Sequence, residues 1–92
     1  MALEQNKSIS VFINGKEIDV PVELLERGEE ISFKTVVELA IENELVPSGP
    51  NFEYRIKYSH AVARPPEGNL STDKPVKIQK GTIFTVTYTD LS

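Results

Sequence analysis

Apolar and polar residues alternate at the start of the chain through Ile9-Ser10-Val11-Phe12-Ile13, and again through Lys16-Glu17-Ile18-Asp19-Val20. A period of two marks a half-buried strand. Asn14-Gly15 joins the runs, and Asn-Gly suits a type I′ turn, which needs φ > 0 at both central positions. The spacing predicts a hairpin with Ile9, Val11, Ile13, Ile18 and Val20 on one face. Phe12 falls on the other, with Ser10, Glu17 and Asp19. Pro21 ends the second strand, since proline cannot donate to a ladder. The period then lengthens. Phe33, Val36, Val37, Ala40 and Ile41 form a helical apolar stripe, with Lys34, Glu38 and Glu42 on the wet side. Ser32 is placed to cap the helix, and Ile31 and Val36 have the spacing of a hydrophobic staple. Pro47-Ser48-Gly49-Pro50 is expected to stop it.

Residues 52–58 alternate again, with Phe52, Tyr54, Ile56 and Tyr58 predicted inward and Glu53, Arg55 and Lys57 outward. Residues 61–73, containing Pro65-Pro66-Glu67-Gly68, read as a loop. Val76-Lys77-Ile78 is a short strand at most, and Lys80-Gly81 a turn. Residues 82–88 close the chain as a strand rich in β-branched and aromatic side chains, with Phe84, Val86 and Tyr88 inward and Thr85 and Thr87 outward. The predicted fold is α+β, two layers, with one helix on a mixed sheet of four to five strands. The first and last strands would lie parallel at its centre, the arrangement called β-grasp. The expected organisation is a disordered tail over 1–8, one domain over 9–90 and a short tail over 91–92.

Composition removes most chemistry. The chain has 92 residues, 39% hydrophobic and 26% charged, as for one globular domain. Its formal charge is −4 and no basic run occurs, so nucleic acid is not an expected partner. No apolar run approaches the ~20 residues that cross a bilayer, and the polar start lacks a secretion signal. Cysteine is absent, which removes thiolate nucleophiles and zinc–thiolate sites and fits a cytoplasmic location. His60, the one histidine, has no partners at metal or triad spacing and reads as a loop residue. Glu23, Glu26, Glu29 and Glu30 lack the ligand spacing of a calcium loop, and Gly15, Gly28, Gly49, Gly68 and Gly81 form no phosphate-cradling motif. No catalytic residue, metal or cofactor is expected, and the chain is read as a non-enzyme. What remains is surface. Arg55 and Lys57 share the open sheet face with Thr85 and Thr87, a polar and mildly cationic patch, and Arg64 is a candidate addition. Phe12, an aromatic on that face, is a candidate interface anchor. Both a solvated face and a partner-binding face are compatible with this pattern.

Three stretches carry a family resemblance: residues 11–16 (Val-Phe-Ile-Asn-Gly-Lys), residues 31–40 around Ser32-Phe33-Lys34, and residues 77–90, which include Lys80-Gly81-Thr82-Ile83-Phe84 and end in Thr89-Asp90. With Pro66-Glu67-Gly68-Asn69-Leu70 between them, they resemble the bacterial multiubiquitin family, over roughly residues 9–92. The resemblance implies a ubiquitin-like modifier encoded beside an activating enzyme, a conjugating enzyme and a JAB-type metalloprotease, in operons that imply antiphage defence. In such modifiers the partner activating enzyme uses ATP to adenylate the C-terminal carboxylate, and the acyl group passes to enzymes or target proteins. By position, the implied conjugation tail is Thr89, Asp90, Leu91 and Ser92. The family often ends its domain Thr-Asp, basic residue, Ser, so Leu91 departs at one position of four. The missing Gly-Gly disfavours the sulfur-carrier reading. A β-grasp module that binds partners non-covalently, without using its tail, stays open.

Overall fold

A computed structural model describes residues 7–27, 29–60, 62 and 65–92. Asn14 (φ 52°) and Gly15 (φ 86°) both take the left-handed turn conformation that Asn-Gly was expected to supply. They fold β1 (Ser8–Ile13) against β2 (Lys16–Pro21) in antiparallel register, with Val11 opposite Ile18 and Ile9 opposite Val20. Val11, Ile13, Ile18 and Val20 are buried, and Ile9 packs at the core margin. Of the expected tail, residues 1–6 lie outside the described residues. The Lys7 carbonyl accepts from Val22 N–H at 3.1 Å, and Ser8 already belongs to β1.

After a 3-10 turn at Val22–Leu24, β3 (Glu30–Ile31) leads into α1 (Phe33–Glu42). The Ser32 hydroxyl accepts from Thr35 N–H at 3.2 Å, the expected cap, and Ile31 and Val36 are both fully buried. The helix buries Val36, Leu39 and Ala40, while Phe33, Val37 and Ile41 are half-buried. The predicted stripe therefore omitted Leu39, because the packed face is rotated toward the Val36–Leu39–Ala40 flank of the stripe and away from Phe33, Val37 and Ile41. The helix also ends before the proline pair expected to stop it. Glu44, at φ 60°, donates its N–H to Ile41 O (2.9 Å), and Leu45 N–H reaches Ala40 O (2.8 Å). This double closure is a Schellman motif with glutamate where glycine usually stands.

The remaining strands are β4 (Phe52–Ser59), β5 (Glu67–Asn69), β6 (Val76–Lys77) and β7 (Ile83–Asp90). Five of the strands form one mixed sheet in the order β2-β1-β7-β4-β5, and β3 pairs with β6 in a separate two-stranded sheet. As predicted, the first and last long strands are central and parallel, with Phe12 beside Ile83 and Ile13 beside Phe84. β5 lies inside the stretch read as loop, and Leu70, just after it, is buried. Three residues are too few for an alternation to stand out.

Phe84 and Val86 are buried as expected, but Tyr88 is 50% exposed. Its register, opposite Tyr54, does put it on the helix side. A helix of ten residues covers about 15 Å, whereas an eight-residue strand runs about 26 Å, so the end of β7 outruns its cover. Tyr88 packs edge-on against Phe52 instead, ring centres 5.7 Å apart. The one buried polar residue among those described is Thr82. Its Oγ1 accepts from Gln79 N–H at 3.0 Å and donates to the Gln79 carbonyl at 2.8 Å, with the His60 carbonyl at 3.3 Å as a second acceptor.

Asn14 does more than turn the chain. Its Oδ1 accepts from Val86 N–H at 2.8 Å and its Nδ2 donates to Val86 O at 3.1 Å. The side-chain amide thus continues the parallel ladder past the end of β1. Asn14→Ala should cost roughly 2–5 kcal/mol, from two lost bonds of about 0.5–1.5 kcal/mol each plus left-handed strain of about 1–2 kcal/mol. Asn14→Gly keeps the turn and should cost only the bonds; denaturant melts that rank the two variants equally would contradict the strain share. Glu44→Gly should stabilise by about 0.5–1 kcal/mol, by relieving strain and removing an acid from the helix C-terminus. A thermal midpoint that falls would refute it.

Candidate partner-binding groove and C-terminal segment

Adjacent strands bring four of the expected surface residues together. Arg55 stands opposite Thr87 and Lys57 opposite Thr85 in the β4–β7 ladder, and all four are exposed. The Thr87 hydroxyl donates to the Arg55 carbonyl at 3.5 Å. They line the open side of a groove of about 600 Å³. The groove continues around β4 to its helix side, where Phe33, Tyr54, Ile56 and Leu70 form the other wall. The sequence pattern offered no sign of this second wall, because Phe33 and Leu70 are remote from β4 in the chain.

Phe12 is not part of this groove. It lies on β1, two strands or about 10 Å from β4, half-buried beside Ile83. Ile83 is 40% exposed. The open face thus carries an apolar pair across from a cationic pair. Ile83 was not singled out from the sequence, although inward Phe84 forces its neighbour outward. Arg64, the third candidate cation, lies outside the described residues, as does Gly28.

Other candidate groups serve the backbone. His60 sits at φ 63°, and its carbonyl accepts from Gln79 Nε2 at 2.9 Å. Glu26 and Glu30 exchange backbone bonds of 2.7 and 3.3 Å, and the Glu29 carbonyl accepts from Ile78 N–H at 3.1 Å. Among the described residues no three acidic or histidine side chains converge as a metal site would require. None of the described helices is long and apolar enough to cross a membrane.

Of the implied conjugation tail, Thr89 and Asp90 are the last residues of β7, opposite Glu53 and Phe52. Leu91 donates its N–H to the Asn51 carbonyl at 2.7 Å, one step beyond the ladder. Ser92 turns back, its N–H (3.0 Å) and Oγ (2.6 Å) both donating to Asp90 Oδ1. All four residues are exposed.

A single helix held by a mixed sheet, with its first and last long strands parallel at the centre, defines a ubiquitin-like β-grasp protein. The multiubiquitin family model matches residues 9–90, and the chain belongs to that family. A comparison with curated proteins returned no match.

The Ser92 hydroxyl, and after it the Ser92 N–H, hold the Asp90 carboxyl below its ordinary pKa, outweighing desolvation. A carboxylate depressed in the folded state favours that state above its unfolded pKa, and the benefit disappears as pH falls through the folded value. In a ¹³C titration Asp90 should therefore protonate below the ordinary aspartate range. Ser92→Ala should raise its midpoint only partway, because the N–H donor stays. A midpoint unmoved by the substitution would contradict this account.

Proposed function

We propose that the chain is a ubiquitin-like protein modifier, activated at its C-terminal carboxylate and joined to target proteins or partner enzymes. The carrying observation is the placement of residues 89–92, all exposed at the end of β7, with Leu91 and Ser92 beyond the ladder and held only by surface hydrogen bonds. Membership of the multiubiquitin family supports the same reading. In the proposed sequence the carboxylate attacks the α-phosphate of ATP on an activating enzyme, giving an acyl adenylate and releasing pyrophosphate. A nucleophile of an enzyme or target then attacks the acyl carbon, and AMP leaves. The chain itself supplies no acid, base or metal, and acts as substrate and docking body rather than as a catalyst. The proposed partners are an activating enzyme, a conjugating enzyme, a JAB-type metalloprotease and target proteins. The proposed setting is the bacterial cytoplasm, in antiphage defence.

A second reading rests on the groove lined by Arg55, Lys57, Thr85 and Thr87. On that reading the domain binds a partner non-covalently and its last residues are idle. Intact-mass analysis separates the two. With activating and conjugating enzymes and ATP, the modifier reading expects an adduct that is lost when Leu91-Ser92 is deleted. An adduct indifferent to that deletion, or none formed by the full chain, overturns the reading.

A further inference from the structure

β4 is fully paired on one edge and only partly on the other. β7 matches it along its whole length, from Phe52 opposite Asp90 to Ser59 opposite Ile83. β5 matches only Lys57, Tyr58 and Ser59. The last bond on that second edge is Leu70 N–H to the Ile56 carbonyl at 2.8 Å. Backbone groups alternate sides along a strand, so Phe52 and Tyr54 aim their N–H and C=O the same way as Ile56. Among the described residues nothing pairs with those four groups or with the Ile56 N–H. Such an exposed run is a template for an added strand.

We infer that this free edge of β4 binds an extended peptide of alternating acidic and apolar residues as a sixth strand of the sheet. The groove described above wraps this edge and fixes the peptide's chemistry. A strand laid beside Phe52–Arg55, ending where Leu70 meets Ile56, would span four residues, about 14 Å, with alternate side chains on opposite faces. Those on the helix side meet half-buried Phe33 and Tyr54, with buried Ile56 and Leu70 beneath them, an apolar wall. Those on the open side meet Glu53 and Arg55, with Lys57 next along the strand beside Asn69; Thr89, Thr87 and Thr85 stand across from them, so the cations outnumber the anion by one. On a chain of net charge −4 this small positive excess is a local reversal of sign, and it favours acidic residues beside Arg55 and Lys57.

A second copy fits the edge less well. Antiparallel pairing centred on Tyr54 would oppose Glu53 to Arg55, but it would also put the copy's Phe52 beside Ile56, where Leu70 already sits. Sliding the register by one residue on each chain sets Glu53 against Glu53. The inference rests on reading the open sheet face as a docking surface, and it is independent of the proposed acyl chemistry.

The test is a ¹⁵N-correlated titration of the full chain with a capped hexapeptide alternating glutamate and valine. Two controls accompany it: the lysine–valine counterpart, and the glutamate peptide N-methylated at alternate amides. Shifts and slowed amide exchange at Phe52, Tyr54 and Ile56 are expected with the glutamate peptide alone, weakening with added salt. R55E/K57E should bind it at least tenfold more weakly and prefer the lysine peptide, while keeping its spectral dispersion because both residues are exposed. Equal shifts from the N-methylated peptide mean charge attraction without strand addition, and overturn the inference. So does silence at residues 52–56, or peptide-free, concentration-dependent broadening there, which would assign the edge to a second copy. Adduct formation by R55E/K57E in the enzyme assay separates failure here from failure of the modifier reading.

Discussion

The fold depends on one seam, the parallel contact between β1 and β7. Parallel strands cannot be joined by a tight turn, so the chain between them must make a crossover. Here the crossover is nearly the whole domain, and closing the seam encloses the core under α1. Yet the formal ladder is short, with only Phe12–Ile83 and Ile13–Phe84 in register. It is lengthened at both ends by backbone bonds, Gly81 N–H to Ser10 O (2.8 Å), Phe12 N–H to Thr82 O (2.9 Å) and Asn14 N–H to Phe84 O (3.0 Å). Beyond these, the Asn14 side chain imitates one further peptide unit against Val86. A single residue thus serves the tightest local feature and the longest-range one.

The groove arises from lengths that do not match. The helix is shorter than the strands it covers, and β5 is shorter than the edge it lies along. One mismatch leaves the Phe52–Tyr88 aromatic pair at the rim; the other leaves the backbone of Phe52 and Tyr54 open. Charge then decides what such a rim tolerates. Exposed edges are commonly guarded by charged side chains, and Glu53, Arg55 and Lys57 flank this one. Two cations and one anion on the open side still leave a preference for acidic visitors.

The C-terminal residues are held lightly. Leu91 is tied by one backbone bond and Ser92 by two bonds to an exposed carboxylate. Water can replace each of these when the segment is drawn away, so releasing it leaves the core untouched. Such a segment is ordered enough to have a direction and loose enough to be handed over. That combination is what the proposed activation requires.

The sequence by itself determined the elements whose signals are local. Asn14-Gly15 dictates a turn, Ser32 a cap, and the alternation through Arg55 and Lys57 an inside and an outside, because sterics and hydrogen bonding within a few residues settle each. The outward placement of Thr85 and Thr87 followed the same way. Only the tertiary structure decided where α1 stops covering the sheet, and hence that Tyr88 is exposed, and which face α1 turns inward, and hence that Leu39 is buried. It also decided that Phe33 and Leu70 join Ile56 behind Arg55, that Phe12 stands apart beside Ile83, and that β4 keeps a bare edge. Those facts depend on how far one element reaches past another. Reach is a property of packed layers, and residues distant in the chain carry no mark of it in their order.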